Sequence, residues 1–244
     1  MLLRQTMRSK LSIIFSSHLS DDENNEFIKH VKETVGQVDV YVHCIVNKRQ
    51  YSLTEAYNLG WNHIKEIGRG DGIIVFCHND IVFKTKDWGR ILLGLFKYQY
   101  FDIIGIAGTT ELNSHGCWWL TPDGKEMNHS KMFGRVWHTN GLREWESIYS
   151  EKISGVKEVV TIDGLFMAVN GRTVAEMFDE RFKGFHLYDI SFCFRNYLEG
   201  CNIGVVDRIS VMHKSVGETN SEWEENRQLF VELYKDDLPA KIIL

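Results

Sequence analysis

The chain has 244 residues, of which 43% are apolar and 25% charged, with a formal charge of -5. This is the composition of an ordinary globular protein with a sizeable core, and it excludes a general nucleic-acid groove or a basic membrane-binding surface, so any phosphate must be met locally. Five cysteines scattered without a CxxC pair indicate reduced thiols and a cytoplasmic setting rather than a disulfide framework.

The N-terminal stretch sets a basic region before an apolar core far too short for a signal peptide, and no later run approaches the ~18 apolar residues of a membrane span. Residues 11–15 read instead as a first strand ending at Ser16. A polar loop over residues 18–25 follows, then a helix with Phe27, Ile28, Val31 and Val35 at helical spacing. Residues 38–46 form a second strand, stopped by Asn47, Lys48 and Arg49. Ser52 caps a second helix carrying Leu53, Ala56, Tyr57, Trp61 and Ile64, which Gly68, Gly70 and Gly72 end before a third strand at residues 73–76. The repeated alternation of strand and helix predicts an α/β fold: a mixed, mostly parallel central sheet with helices on both faces. Ligands of such sheets bind at the carboxyl ends of the strands. Ser16, Asn47 and the run His78, Asn79, Asp80 all lie at such ends.

Residues 88–98 predict a third helix and 103–107 a fourth strand. The stretch from 109 to 150, rich in Gly, His and Trp, has TPDG as a turn between antiparallel strands and reads as a substrate-binding insert. Regular structure returns at 159–169, with helices over 172–177 and 187–198, a strand over 203–206, and an amphipathic segment over 222–233. Without repeats or linkers, residues 1–244 are expected to form one domain. Residues 11–100 and 101–217 would be its two functional halves, and 218–244 a helical tail.

Four carboxylate or imidazole positions invite chemistry, and each also has a plain structural reading. Asp80, in GIIVFCHNDIVF, fits a divalent cation carrying a diphosphate, or simply a turn. His213, after VDRISVM, either packs on the surface or joins Asp80 in a mixed nitrogen and oxygen site that favours manganese over magnesium. Asp189, near a helix start, either complements the helix dipole or serves as a general base. Asp163, in TIDGLF, either accepts backbone hydrogen bonds or contacts a sugar hydroxyl. Trp118 and Trp119, if on a strand, point to opposite faces, one to the core and the other available to a sugar ring.

The order of these features resembles the family-2-like glycosyltransferases with the GT-A (Rossmann-like) fold, from about Leu11 to Gly217. LSIIFSSH stands as the opening strand, SLTEAYNLGW as the helix bearing an asparagine, GIIVFCHNDIVF in the place of the metal-binding DxD strand, and the run from Ile162 to Gly217 as the closing half. The resemblance implies transfer of a sugar from a UDP-, dTDP- or GDP-sugar to a saccharide or other hydroxyl acceptor, as in polysaccharide biosynthesis, with self-association left open. It implies Asp80 and His213 as ligands to Mn2+ or Mg2+ and Asp189 as the base of an inverting displacement. It also implies Ser16, Asn47, Asn58, His78, Asn79 and Asp163 as contacts to the nucleotide sugar. The chain departs from the pattern at His78, where the first aspartate of DxD usually stands, and at Tyr188 and Ser191, which replace acids around Asp189. A nucleotidyltransferase would want a glycine-rich basic loop where SSHLSDDENN stands, and a metallohydrolase a compact histidine cluster that is missing. A relative that binds nucleotide without catalysis is the alternative raised by those departures.

Overall fold

The computed structural model describes residues 10–98, 100–215, 217 and 219–242. The basic N-terminal stretch, residues 1–9, lies outside them. The elements follow in chain order: β1 (Lys10–Ser17), α1 (Asp21–Thr34), β2 (Asp39–Val46), α2 (Leu53–Glu66), β3 (Ile73–Cys77), β4 (Ile81–Phe83) and α3 (Trp88–Tyr98). Then come β5 (Ile103–Gly105), β6 (Ala107–Thr109), β7 (Glu111–Leu112), β8 (Met132–Thr139), β9 (Glu144–Ile148), β10 (Lys157–Val159), β11 (Thr161–Ile162) and β12 (Phe166–Asn170). The chain closes with α4 (Tyr188–Leu198), β13 (Ile203–Val205), β14 (Val211–His213), α5 (Ser221–Tyr234) and β15 (Ala240–Lys241).

The main sheet has the order β10-β13-β5-β12-β3-β1-β2. Strands β2, β1 and β3 run parallel, β13 runs parallel to β5, β12 lies antiparallel between β5 and β3, and β10 is antiparallel to β13. Alternation along the strands sorts side chains to the two faces. Leu11, Ile13 and Phe15 of β1, with Ile73, Val75 and Cys77 of β3, join one core with α1 and α3, whereas Ile14, Ile74 and Phe76 join the other with α2. Helices therefore cover both faces, and α4 contributes to both cores, with Ile190 and Phe194 on one side and Tyr188 and Phe192 on the other.

A second sheet has the order β11-β6-β8-β14-β4, with β9 beside β8. The single run predicted over 103–107 is two strands: Ile106 separates β5, in the first sheet, from β6, in the second. The run at 159–169 is likewise broken into parts of β10, β11 and β12.

Two predicted elements need correction. Helix α1 begins at Asp21 rather than within the hydrophobic stretch, because Ser20 and Glu23 form a capping box that satisfies its first free backbone donors. No helix spans residues 172–177; after a single turn on Asn170 the backbone runs free of any ladder. Its polar groups are met by side chains instead: Asn196 takes the Glu176 N–H and donates to its carbonyl, and Asn58 does the same for Phe178. Within residues 219–242, Phe230 of α5 is fully buried and β15 pairs with β7.

Candidate functional site

The buried strand β3 ends at Cys77, and Asn79 and Asp80 make a tight turn into β4, as the turn reading of this segment has it. Strand β14 pairs antiparallel with β4, setting His213 opposite Ile81, and the Lys214 N–H donates to the Asp80 carbonyl at 3.0 Å. That register brings a residue from the far end of the chain beside the turn. His213 Nε2 lies 3.3 Å from Asp80 Oδ1 and 3.3 Å from His78 Nδ1, and the ligand atoms of all three residues lie within 4.8 Å of one another.

The charges of the cluster are coupled. Burial by itself would raise the Asp80 carboxyl, but hydrogen bonding and charge from His213, with Ser215 and His78 adding to it, hold it well below the usual carboxylate range. Burial disfavours a charged His213, yet the neighbouring Asp80 carboxylate raises it above the ordinary imidazole value. Ser215 donates to Asp80 Oδ2 at 2.7 Å and fixes that carboxylate's orientation. On the outer side of His78, Nε2 meets the Tyr188 hydroxyl at 2.7 Å, leaving Nδ1 turned toward the cluster. Two imidazole nitrogens and one carboxylate oxygen, converging and held from behind, fit a divalent ion of intermediate hardness.

Asp189 opens the first turn of α4, after Leu187 adopts a left-handed conformation (φ 57°) that turns the chain into the helix. Its carboxylate accepts from Gly164 N–H and Ile190 N–H, each at 2.9 Å. Burial and the nearby Asp163 charge outweigh those donors and push it up to about 7. Asp189 nevertheless keeps some surface open to the adjoining cavity, so water is not fully excluded from it. Asp163 accepts from Leu165 N–H at 2.9 Å and lines the same cavity. Gly164 between them must lack a side chain, since a Cβ there would collide with the ring and hydroxyl of Tyr188.

Two cavities meet at this cluster. The smaller, about 270 Å³, lies at the carboxyl ends of the parallel strands and is lined by Ser16, Asn47, Asn79 and Asp80 among others. The larger, about 520 Å³, holds Asp163, Asp189 and His213. His78 and Phe185 line both. Phe185 is 53% exposed, although its backbone is pinned by Glu222, so an apolar ring is presented to solvent at the junction itself.

Of the residues singled out in the sequence, Ser16, Asn47, His78, Asn79, Asp80, Asp163, Asp189 and His213 thus gather around the two cavities. Asn47 does so with its amide engaged: it donates to Ser16 Oγ and Tyr51 O and accepts from Gln50 and Tyr51 N–H, so it shapes the loop after β2. Asn79 likewise donates to Ser17 Oγ at 3.0 Å. Asn58 stands apart. It is buried, and its amide is committed to Phe178 and Glu180, which makes it a staple between α2 and the irregular segment before α4.

Sequence reading missed His138, placed beside His213 by the parallel register of β8 and β14, and Trp145, Tyr149 and Trp223 in the larger cavity. It took Arg49 only as the end of a strand, yet Arg49 is the one lysine or arginine among the described residues lining the smaller cavity. Trp118 and Trp119 lie in a bend rather than a strand, and both line the larger cavity, their rings edge to face with centroids 5.8 Å apart.

The family described as Glycosyltransferase like family matches residues 16–234. No curated protein matches the sequence. Among solved structures, GalNAc-T7 with UDP, GalNAc and Mn2+ is similar with a TM-score of 0.59 at 10% identity, over 95% of this chain and 49% of that one. The mannosyltransferase PcManGT from Pyrobaculum calidifontis, in complex with GDP-Man and Mn2+, is similar with a TM-score of 0.50 at 11% identity, over 98% of this chain and 67% of that one. The chain therefore spans about half the length of the first of these, and at such identities the likeness is one of fold. Among the described residues no helix is long and apolar enough to cross a membrane.

Proposed function

The chain belongs to the glycosyltransferase-like family and has the GT-A fold, and from that premise we propose that it moves a sugar from a nucleotide-diphospho-sugar to an acceptor hydroxyl with inversion. The observation that carries this reading is the convergence of the His78, Asp80 and His213 donors with Asp189 where a strand-end cavity meets a second cavity. The smaller cavity takes the nucleotide: Ser16 and Asn79 supply hydroxyl and amide groups, Asn47 sets the shape of the loop, and Arg49 offers a cation to phosphate. The larger cavity takes the acceptor, a saccharide or other hydroxyl compound.

His78 Nδ1, Asp80 Oδ1 and His213 Nε2 would hold a divalent cation, manganese before magnesium, which when bound supplies charge neutralisation to the departing diphosphate. Asp189 takes the proton of the acceptor hydroxyl as that oxygen attacks the anomeric carbon. The bond from that carbon to the β-phosphate oxygen breaks and its electron pair leaves with the nucleoside diphosphate. Tyr188 orients His78, and Ser215 orients Asp80. Asp163 sits beside the base, where it raises the proton affinity of Asp189 and faces the sugar. Five free thiols agree with a cytoplasmic setting, and polysaccharide synthesis is the process we assign.

Replacing the base tests the assignment. Asp189→Asn should retain nucleotide-sugar binding and lose transfer by about 10² to 10⁴ in rate, the usual contribution of a positioned base. Turnover equal to that of the unaltered protein would remove Asp189 from the mechanism.

A further inference from the structure

The larger cavity has a chemical bias that the transfer reaction does not by itself require. Its wall is built of rings braced against one another. Trp118 meets Tyr149 edge to face at 5.9 Å, Trp119 meets Trp223 at 5.6 Å, and Trp145 stacks on His138 at 5.5 Å with 21° between planes. The bracing comes from separate parts of the chain, since Trp223 lies on α5 and Trp145 on β9, so the surface is formed before any ligand arrives. Its ionisable groups are the carboxylates of Asp163 and Asp189 and four histidines, and no lysine or arginine is found among the described residues lining it. The guanidinium of Arg143 lies on the ring of Trp145, 5.4 Å from its centroid, and is not part of the lining.

Such a wall suits one class of ligand. Pyranose rings present C–H faces that pack on indole while their hydroxyls, at the ring edge, reach carboxylate and imidazole groups. An anionic group entering the same space would face Asp163 and, once it is ionised to act as base, Asp189, with no lysine or arginine among the described lining residues to meet it and with His213 already engaged by Asp80 at 3.3 Å; like charges that close in a partly desolvated cleft repel. The charge of a cation at the His78, Asp80 and His213 cluster would be balanced by the diphosphate of the donor. Resting on the transferase reading above, we propose that the acceptor is a neutral saccharide seated on the tryptophan wall, and that acceptors carrying phosphate or carboxylate near the reacting hydroxyl are refused.

The test is a titration of the intrinsic tryptophan fluorescence of the full chain, with Mn2+ and UDP or GDP present. The titrants are neutral disaccharides (cellobiose, lactose, maltose, chitobiose) and their 6-phosphate or uronate counterparts. A saturable response to at least one neutral sugar is expected, with its charged counterpart bound at least ~10-fold more weakly. Met127→Lys, at an exposed position of the cavity wall, should narrow that gap by admitting a counter-charge. Equal or tighter binding of the charged sugars, no response to any neutral sugar, or a response only to long-chain alcohols would overturn the assignment. Cleavage of nucleotide sugars with water as acceptor, measured alongside, keeps the two readings apart. Cleavage without a preference for neutral sugars removes the acceptor assignment alone, whereas neutral-sugar binding by a protein that cleaves no donor removes the transferase reading.

Discussion

At Asp189 two influences act against each other on one proton. Burial and the Asp163 charge favour the protonated acid, whereas two backbone N–H groups favour the carboxylate, and the balance lies at about 7. The consequence for rate has a definite sign. A base must be ionised, so donor-to-acceptor transfer should rise with pH through about 7 and level off above it. Stability should move the other way. The folded chain keeps this proton to a higher pH than the unfolded chain does, so the stability linked to it is full below about 4 and is lost as pH rises through about 7. Asp189→Asn should abolish that loss. Denaturant midpoints of both proteins at pH 5 and pH 8 measure it, and parallel midpoints would mean that Asp189 is an ordinary exposed acid. Tyr188, buried beside it, belongs to the same arrangement: it fills the place of an acid in the resembled family and instead fixes the outer nitrogen of His78.

At the scale of elements, the segment between β12 and α4 relies on side chains where a helix would have used its own backbone. Asn58 answers for both polar groups of Phe178 and also meets Glu180. Asn58→Ala should therefore cost about 1–3 kcal/mol in unfolding free energy, the penalty for buried polar groups left unpaired, while the folded fraction keeps its nucleotide affinity. A loss of affinity without a loss of stability would return Asn58 to the binding site. The same segment marks what the sequence made legible. Strands β1, β2 and β3 with the helices between them follow from hydrophobic periodicity and caps, because each forms from neighbours in sequence. The helix at 172–177 was misread because Asn58 and Asn196, distant in sequence, outcompete local hydrogen bonding there. Asp80, Asp189 and His213 stand out in the sequence by residue type and position, and the structure gathers them around the two cavities; the Ser20-x-x-Glu23 pattern marks the start of α1. His138 and Trp223 were not legible: the first depends on the register of β8 against β14 and the second on the docking of α5.

At the scale of the molecule, the two sheets divide the work. The parallel strands supply the smaller cavity at their carboxyl ends, and the second sheet, with the aromatic bend at Trp118 and Trp119 and with Trp223 of α5, supplies the wall of the other. The turn after β3 and the end of β14 join the two, which is why residues 78, 80 and 213 come together where the cavities meet. The most direct measurement is release of nucleoside diphosphate from UDP-, GDP- and dTDP-sugars in the presence of Mn2+, by the unaltered protein and by Asp80→Asn. Release from at least one donor, abolished by chelation and reduced by roughly 10² or more in Asp80→Asn, is the expected result. Release that survives chelation, or that is equal in the two proteins, would contradict the account.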